Sequence, residues 1–112
     1  MNSKEQLLTK VERLAEALES VEKLSKYYGV SQDKALTSFQ ENIIEIDYIY
    51  NYLGELAGAE ITMTTMTYGD PMIWIDTRHT KVIGAWDGDR IERGYIEGAW
   101  IDEMIKDLSP KV

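Results

Sequence analysis

The chain of 112 residues contains no cysteine and only one histidine. Without cysteine it has no disulfide framework, no zinc–thiolate or iron–sulfur site and no thiol nucleophile. A single histidine also excludes a metal centre built from several histidines of one chain. We therefore predict that the protein holds no metal and no cofactor.

Long apolar runs are missing as well. No stretch approaches the roughly 20 residues that a membrane-spanning helix needs. The first five residues, MNSKE, are polar and are not typical of a signal peptide. We expect one cytoplasmic domain over residues 1–112. A chain of this length can bury a hydrophobic core without covalent cross-links.

Positive charge is scarce. Twelve basic residues stand against 20 acidic ones, so the net charge is −8. Residues 31–60 are the most acidic part of the chain, with Lys34 as their one basic residue. Proteins that bind nucleic acid gain most of their affinity by neutralising phosphates with Lys and Arg. The charge therefore argues against direct nucleic-acid binding and favours a basic partner.

The first half of the sequence predicts two long helices that fold into an antiparallel hairpin over residues 4–57. Apolar residues recur at spacings of three and four from Leu7 to Val21, and Gly29 follows as a helix stop. The first helix is thus predicted over 4–28. Ser31 is predicted to cap a second helix that runs to about residue 57, because the same spacing continues from Leu36 to Ala57.

The second predicted helix has a further apolar line off its main stripe, formed by Ile44, Tyr48, Tyr52 and Leu56. One neighbouring helix does not cover both lines, so we expect either the β half of the chain or a second copy to cover this one. The acidic residues Glu41, Glu45 and Glu55 lie near it. They either solvate the helix or form an acidic surface with aromatic anchors.

The second half predicts a three- or four-stranded antiparallel meander over about 60–96 and a closing helix over about 98–108. The first strand is expected over 61–68, and turn residues at Tyr68-Gly69-Asp70-Pro71 and Asp87-Gly88 separate the strands. A weaker turn at Arg78-His79 pairs Ile75 with Val82 and Ile73 with Gly84, and the turn at Asp87-Gly88 pairs Gly84 with Ile91 and Trp86 with Asp89. The predicted fold class is α+β.

Alternation along the strands assigns the side chains to two faces. The predicted core face carries Ile73, Ile75, Val82, Trp86, Ile91 and Tyr95. The opposite face carries Met72, Trp74, Asp76, Lys81, Ile83, Arg90 and Glu92. Its apolar centre and charged edges are typical of a binding surface, but we favour the interpretation in which the second helix or the closing helix of the same chain covers Trp74 and Ile83.

Residues that could carry chemistry are few. His79 has Asp76 as an orienting carboxylate, but we expect a solvated histidine at a hairpin tip and predict no catalytic residue. Asp87-Gly88-Asp89 lacks the further ligands of a calcium loop, and no glycine-rich phosphate motif is present. Arg78, Arg90 and Arg93 could hold an anionic ligand if the fold brought them together between subunits, with Trp74 stacking on it.

These patterns predict a non-enzymatic protein that self-associates and binds a basic, nucleic-acid-binding surface of another protein as a regulator or inhibitor. The interface candidates are Glu41, Ile44, Glu45, Tyr48, Tyr52, Glu55, Leu56, Trp74 and Ile83. In composition the chain is similar to phage-encoded inhibitors of bacterial defence proteins, which act in the host cytoplasm. The alternative is an oligomeric protein that binds or sequesters an anionic small molecule or nucleotide through Trp74, Arg78, Arg90 and Arg93.

Overall fold

A five-stranded antiparallel sheet, with helices packed on one face, organises the chain. The computed structural model describes residues 3–64, 71–86, 88–96 and 99–110. Its helices are α1 (Ser3–Ala17), α2 (Val21–Tyr28), α3 (Gln32–Glu41) and α4 (Ala99–Leu108). Its strands are β1 (Ile43–Tyr50), β2 (Leu56–Met63), β3 (Met72–Asp76), β4 (Lys81–Trp86) and β5 (Asp89–Gly94). They lie in sequence order in the sheet. The predicted α+β class is confirmed, with five strands instead of three or four.

The first predicted helix is in fact two helices. Ser20 has an extended backbone, and its hydroxyl accepts a hydrogen bond of 3.1 Å from the amide of Lys23, so it caps α2 and ends the continuous helix. The prediction of one helix over 4–28 was wrong because the apolar spacing continues across this cap. Gly29 adopts the left-handed conformation at φ 67° and ends α2, as predicted.

The second predicted helix is mostly β-strand, so the prediction of a helix over 31–57 was wrong. α3 begins after Ser31 but ends at Glu41, where the side-chain amide of Asn42 donates to the carbonyl of Ser38 at 2.7 Å. Residues 43–50 are rich in isoleucine and tyrosine, whose branched and aromatic side chains favour extended backbone. The apolar residues of this segment fit two patterns at once. Their spacing of three and four is typical of a helix, and their alternation with acidic residues has the period of two that is typical of a strand.

Residues 51–55 form the turn between β1 and β2. The Asn51 side-chain oxygen accepts hydrogen bonds from the amides of Leu53 and Glu55, at 2.9 and 3.0 Å. Gly54 has φ 80°, a conformation that favours glycine. Asn and Gly at this spacing are ordinary turn residues, and the helical interpretation overlooked them.

The meander was predicted more accurately. All four predicted pairs are present: Ile75 with Val82, Ile73 with Gly84, Gly84 with Ile91 and Trp86 with Asp89. The predicted first strand, 61–68, shares only residues 61–63 with β2. The predicted turn residues Tyr68, Gly69, Asp70 and Asp87 lie outside the described residues, as does Gly98 at the predicted start of the last helix.

The core lies between the helices and the face of the sheet that carries Gly84. Leu7 and Val11 of α1 lie so close to this glycine that a Cβ there would be 2.7 Å from Leu7 Cδ1 and 2.6 Å from Val11 Cγ2. The predicted core residues Ile73, Ile75, Val82 and Tyr95 are buried in the same cluster, while Trp86 and Ile91 are half-buried at its margin.

The closing helix α4 completes the helical layer. Its apolar residues Ile101, Met104 and Ile105 are buried, whereas Leu108 at its end is 42% exposed. The Trp100 indole N–H donates to the carbonyl of Leu18 at 3.0 Å, and its ring meets Phe39 edge-on. No described helix is long and apolar enough to cross a membrane.

We expect Gly84→Ala to lower the free energy of unfolding by about 1–3 kcal/mol, because the new methyl overpacks the contact with Leu7 and Val11. Gly94→Ala is the matched control, since a Cβ there meets only the Thr80 carbonyl oxygen at 3.7 Å. Urea denaturation measures both. Equal effects of the two substitutions would contradict the close approach of α1 to β4.

We also expect stability to fall in alkali. Burial raises the pKa of Tyr28 above its ordinary value, and the adjacent Tyr27 adds to the shift. The neutral phenol is thus favoured in the folded state, so this stabilisation is complete below about pH 10 and is lost as pH rises further. Thermal melting in alkaline buffers should show a smaller loss for Tyr28→Phe than for Tyr52→Phe, since Tyr52 is fully solvated in a turn.

Candidate functional site

One face of the sheet is covered by no described helix, and we call it the open face. Side chains alternate along β4, so Ile83 points away from α1, which packs at Gly84. Ile83 is only 4% exposed, yet it does not belong to the core cluster. Its cover comes from neighbouring strands. The interpretation in which a helix of the same chain covers Trp74 and Ile83 therefore finds no support among the described residues.

A mixed aromatic and charged cluster shields Ile83. Trp74 and Glu92 are its paired residues on β3 and β5. The Arg90 guanidinium lies 5.5 Å from the Trp74 ring centroid, a cation–π arrangement, and bonds to Glu92 at 3.1 Å. Lys81 approaches the other oxygen of Glu92 at 3.7 Å. The hydrogen bond from Arg90 and the charge of Lys81 hold the pKa of Glu92 below its ordinary value.

A row of carboxylates crosses the first three strands of the open face. Asp47 of β1 pairs with Glu60 of β2, and Glu60 pairs with Asp76 of β3. Glu45 lies on the same face, two residues along β1. We call these four residues the acidic patch. Like charges at directly paired positions destabilise a sheet, so this arrangement costs the fold stability.

The acidic patch is poorly neutralised within the chain. Among the described residues, no ion pair involves Glu45, Asp47 or Glu60. Lys81 is paired with Asp76 in the sheet register, but its ammonium lies beside Glu92. The Asp76 carboxylate is paired with His79 and its side chain is 16% exposed, so the negative charge presented to the solvent is that of Glu45, Asp47 and Glu60.

His79 lies at the exposed hairpin tip, as predicted. Its Nδ1 is 2.7 Å from Asp76 Oδ2, and its backbone amide donates to Asp76 Oδ1 at 3.2 Å. The His79 side chain is 61% exposed, so the oriented imidazole faces solvent. The described residues contain no group of three or more His, Cys, Asp or Glu side chains that could hold a metal ion.

The three arginines of the alternative ligand site do not converge within one chain. Arg90 lies on the open face over Trp74. Arg93 lies on the helix side of the sheet, where it bonds to Glu12 of α1 at 3.2 Å. Arg78 is in the turn between β3 and β4, against Gly58. Only Trp74 and Arg90 come together.

The predicted helical interface is also rearranged, because β1 is a strand. Glu45 faces the open side, whereas Tyr48 and Leu56 lie on the helix side and are half-buried. Ile44 is the extra residue of a β-bulge and is exposed, Glu41 ends α3, and Tyr52 and Glu55 lie in the exposed turn. The sequence analysis did not select Asp47 and Glu60. The acidic–apolar alternation of residues 44–48 was the signal for Asp47.

No protein-family model, curated protein or solved structure matches this chain. The charge and geometry of the open face are therefore the evidence for what the protein does.

We expect Glu60→Gln to raise the free energy of unfolding by about 0.2–1 kcal/mol, because it removes the central charge of the row. The gain should shrink in high salt, which screens exposed charges. Glu103→Gln, on the exposed side of α4, is the control and should change stability little. Chemical denaturation at low and high salt measures both. A loss of stability in Glu60→Gln would show that the row is not repulsive.

Proposed function

We propose that this protein is a non-enzymatic regulator that binds a basic surface of another protein through its open face. The observation that carries the proposal is the set of directly paired carboxylates Asp47, Glu60 and Asp76. In the free protein they repel one another. Lysine or arginine side chains of a partner would remove that repulsion and add favourable pairing.

The neighbouring cluster around Ile83 adds an aromatic side chain to the charged surface. Trp74 is paired with Thr62 on its acidic side and with Ile83 on the other, so an aromatic side chain adjoins the carboxylates. Aromatic residues next to complementary charge are frequent energetic centres of protein interfaces. The partner's basic groups would lie over β1–β3, and its apolar groups would lie near Trp74.

Surfaces that bind nucleic acid fit this description, because they gather Lys and Arg to hold phosphates. A rigid row of carboxylates on neighbouring strands, spaced at roughly 4.8 Å, offers such a surface a substitute for a phosphate backbone. We therefore propose that the protein competes with nucleic acid for its partner and so inhibits it.

The alternative function, binding of an anionic small molecule, draws less support. Arg93 and Arg78 lie away from Trp74, and Arg90 is already engaged by Glu92 and the Trp74 ring. An anion would have to displace these contacts and lie near the acidic patch.

A displacement assay tests the proposal. Cationic nucleic-acid-binding domains, each bound to a short fluorescent DNA duplex, are titrated with the protein while anisotropy reports the release of DNA. The test variant combines Glu45→Gln, Asp47→Asn and Glu60→Gln. The control combines Asp33→Asn, Glu103→Gln and Asp107→Asn on the helices, so both variants lose three negative charges.

We expect the wild-type protein to release DNA from at least one domain and the test variant to be weaker by about tenfold, because three favourable charge contacts are lost. The control variant should stay close to wild type. Equal weakening of the two variants would show that net charge alone drives the binding, and would contradict a site on the open face.

A further inference from the structure

A second interaction surface lies at the edge of the sheet. We propose that two copies of the chain associate through β1, strand against strand in antiparallel orientation, about a two-fold axis at Tyr48. The two sheets would then form one continuous sheet. This association does not depend on the proposed partner binding, which a single copy could perform.

The two edges of the sheet differ in how they are protected. β5 is one edge, and four of its six residues carry charged side chains that discourage strand pairing: Asp89, Arg90, Glu92 and Arg93. β1 is the other edge, and its eight residues include four isoleucines and two tyrosines. A long apolar edge strand is a template for pairing with another strand. β1 is therefore the edge suited to a second copy.

Exposed apolar side chains also collect at this edge. Ile44 is 64% exposed, Tyr50 is 47% exposed and Tyr52 is 95% exposed. Leu53, in the same turn as Tyr52, is 65% exposed. Ile44 lies at the start of β1, whereas Tyr50, Tyr52 and Leu53 lie at its end and in the following turn. The two groups therefore flank the middle of β1, on which a second strand would lie.

Part of the β1 backbone points away from β2 and is available to pair with a second strand. The Asn51 amide donates to the Glu55 carbonyl at 2.9 Å, so Asn51 directs its backbone groups toward β2. Backbone groups alternate in direction along an antiparallel strand. Those of Ile46, Tyr48 and Tyr50 therefore point to the free edge, where a partner strand would bond with them. The register with β2 shifts between Ile43 and Glu45 and again between Ile49 and Tyr50, so residues 45–49 pair with β2 without interruption.

Charge selects the register of the pairing. If the two-fold axis passed through Ile46, Glu45 of one copy would lie opposite Asp47 of the other copy. If the axis passed through Asp47, the two Asp47 carboxylates would lie opposite each other. Both registers are unfavourable, because like charges at paired positions repel. An axis at Tyr48 pairs Asp47 with Ile49 of the partner subunit and opposes no carboxylates.

The Tyr48 register also covers the exposed residues. It pairs Tyr48 with its own copy and Ile46 with Tyr50 of the partner subunit, which places Tyr52 of the partner subunit near Ile44. A register centred on Ile49 avoids carboxylate pairs too, but it pairs a shorter part of the strand. On the helix side, α1 lies over β4 and β5, and α4 contacts β2.

Sedimentation equilibrium over a wide range of protein concentration tests the association. We expect the mass to rise with concentration from 12.9 kDa toward twice that value. Tyr48→Lys should shift the equilibrium toward monomer by about tenfold or more, since it places two like charges at the axis. Tyr27→Lys, on the exposed surface of α2, should dimerise as wild type does. A chain that stays monomeric at high concentration overturns the proposal.

Cysteine cross-linking tests the register, since the chain has no cysteine of its own. Paired antiparallel Cα atoms lie about 5.5 Å apart, within the span of a disulfide. Under mild oxidation, Tyr48→Cys should therefore form covalent dimers faster than Tyr50→Cys, whose two copies lie far apart. Circular dichroism establishes that both variants fold. Faster cross-linking of Tyr50→Cys, or of Tyr27→Cys, would place the interface elsewhere and overturn the proposal without affecting the proposed partner binding.

Discussion

Leu7 and Val11 of α1 pack directly on the backbone of β4 at Gly84, and the rest of the structure follows from this contact. It places the helices on one side of the sheet and centres them on its last strands. Ile83, the residue before the glycine, must then face the other side. The same contact leaves β1 at the margin, with β2 as its principal neighbour. The small residue at position 84 thus permits the close approach of α1 to the face of the sheet that the helices fill.

The open face combines two kinds of electrostatics. Around Ile83, the carboxylate of Glu92 has two basic neighbours, Arg90 and Lys81. On β1 and β2, by contrast, Glu45, Asp47 and Glu60 have no ion-pair partner among the described residues. The paired half resembles ordinary surface stabilisation, whereas like charges at paired positions of the unpaired half are unfavourable for the sheet. This contrast within one face is the reason for assigning binding to the acidic half.

The accuracy of the sequence predictions follows the kind of signal available. The meander register was predictable because turn residues fix where a strand reverses, and alternation then fixes each pair, as at Gly84 and Ile91. The helix over 31–57 was wrong because Ile43, Ile46 and Tyr50 fit a helical and an extended pattern alike, and strand propensity decided between them. The acidic row could not be predicted, because it requires Asp47 to pair with Glu60. The turn that brings these two residues together was predicted to be part of a helix.

The bond from the Trp100 indole to the Leu18 carbonyl joins the last helix to the end of the first. That carbonyl lies at the break between α1 and α2, where the helical ladder leaves acceptors without an internal partner. During translation the N-terminal helices emerge early, but this acceptor and the Phe39 ring gain their covering residue only when position 100 has left the ribosome. Until α4 docks, the Leu18 carbonyl lacks its indole donor and the Phe39 ring lacks its edge-on neighbour.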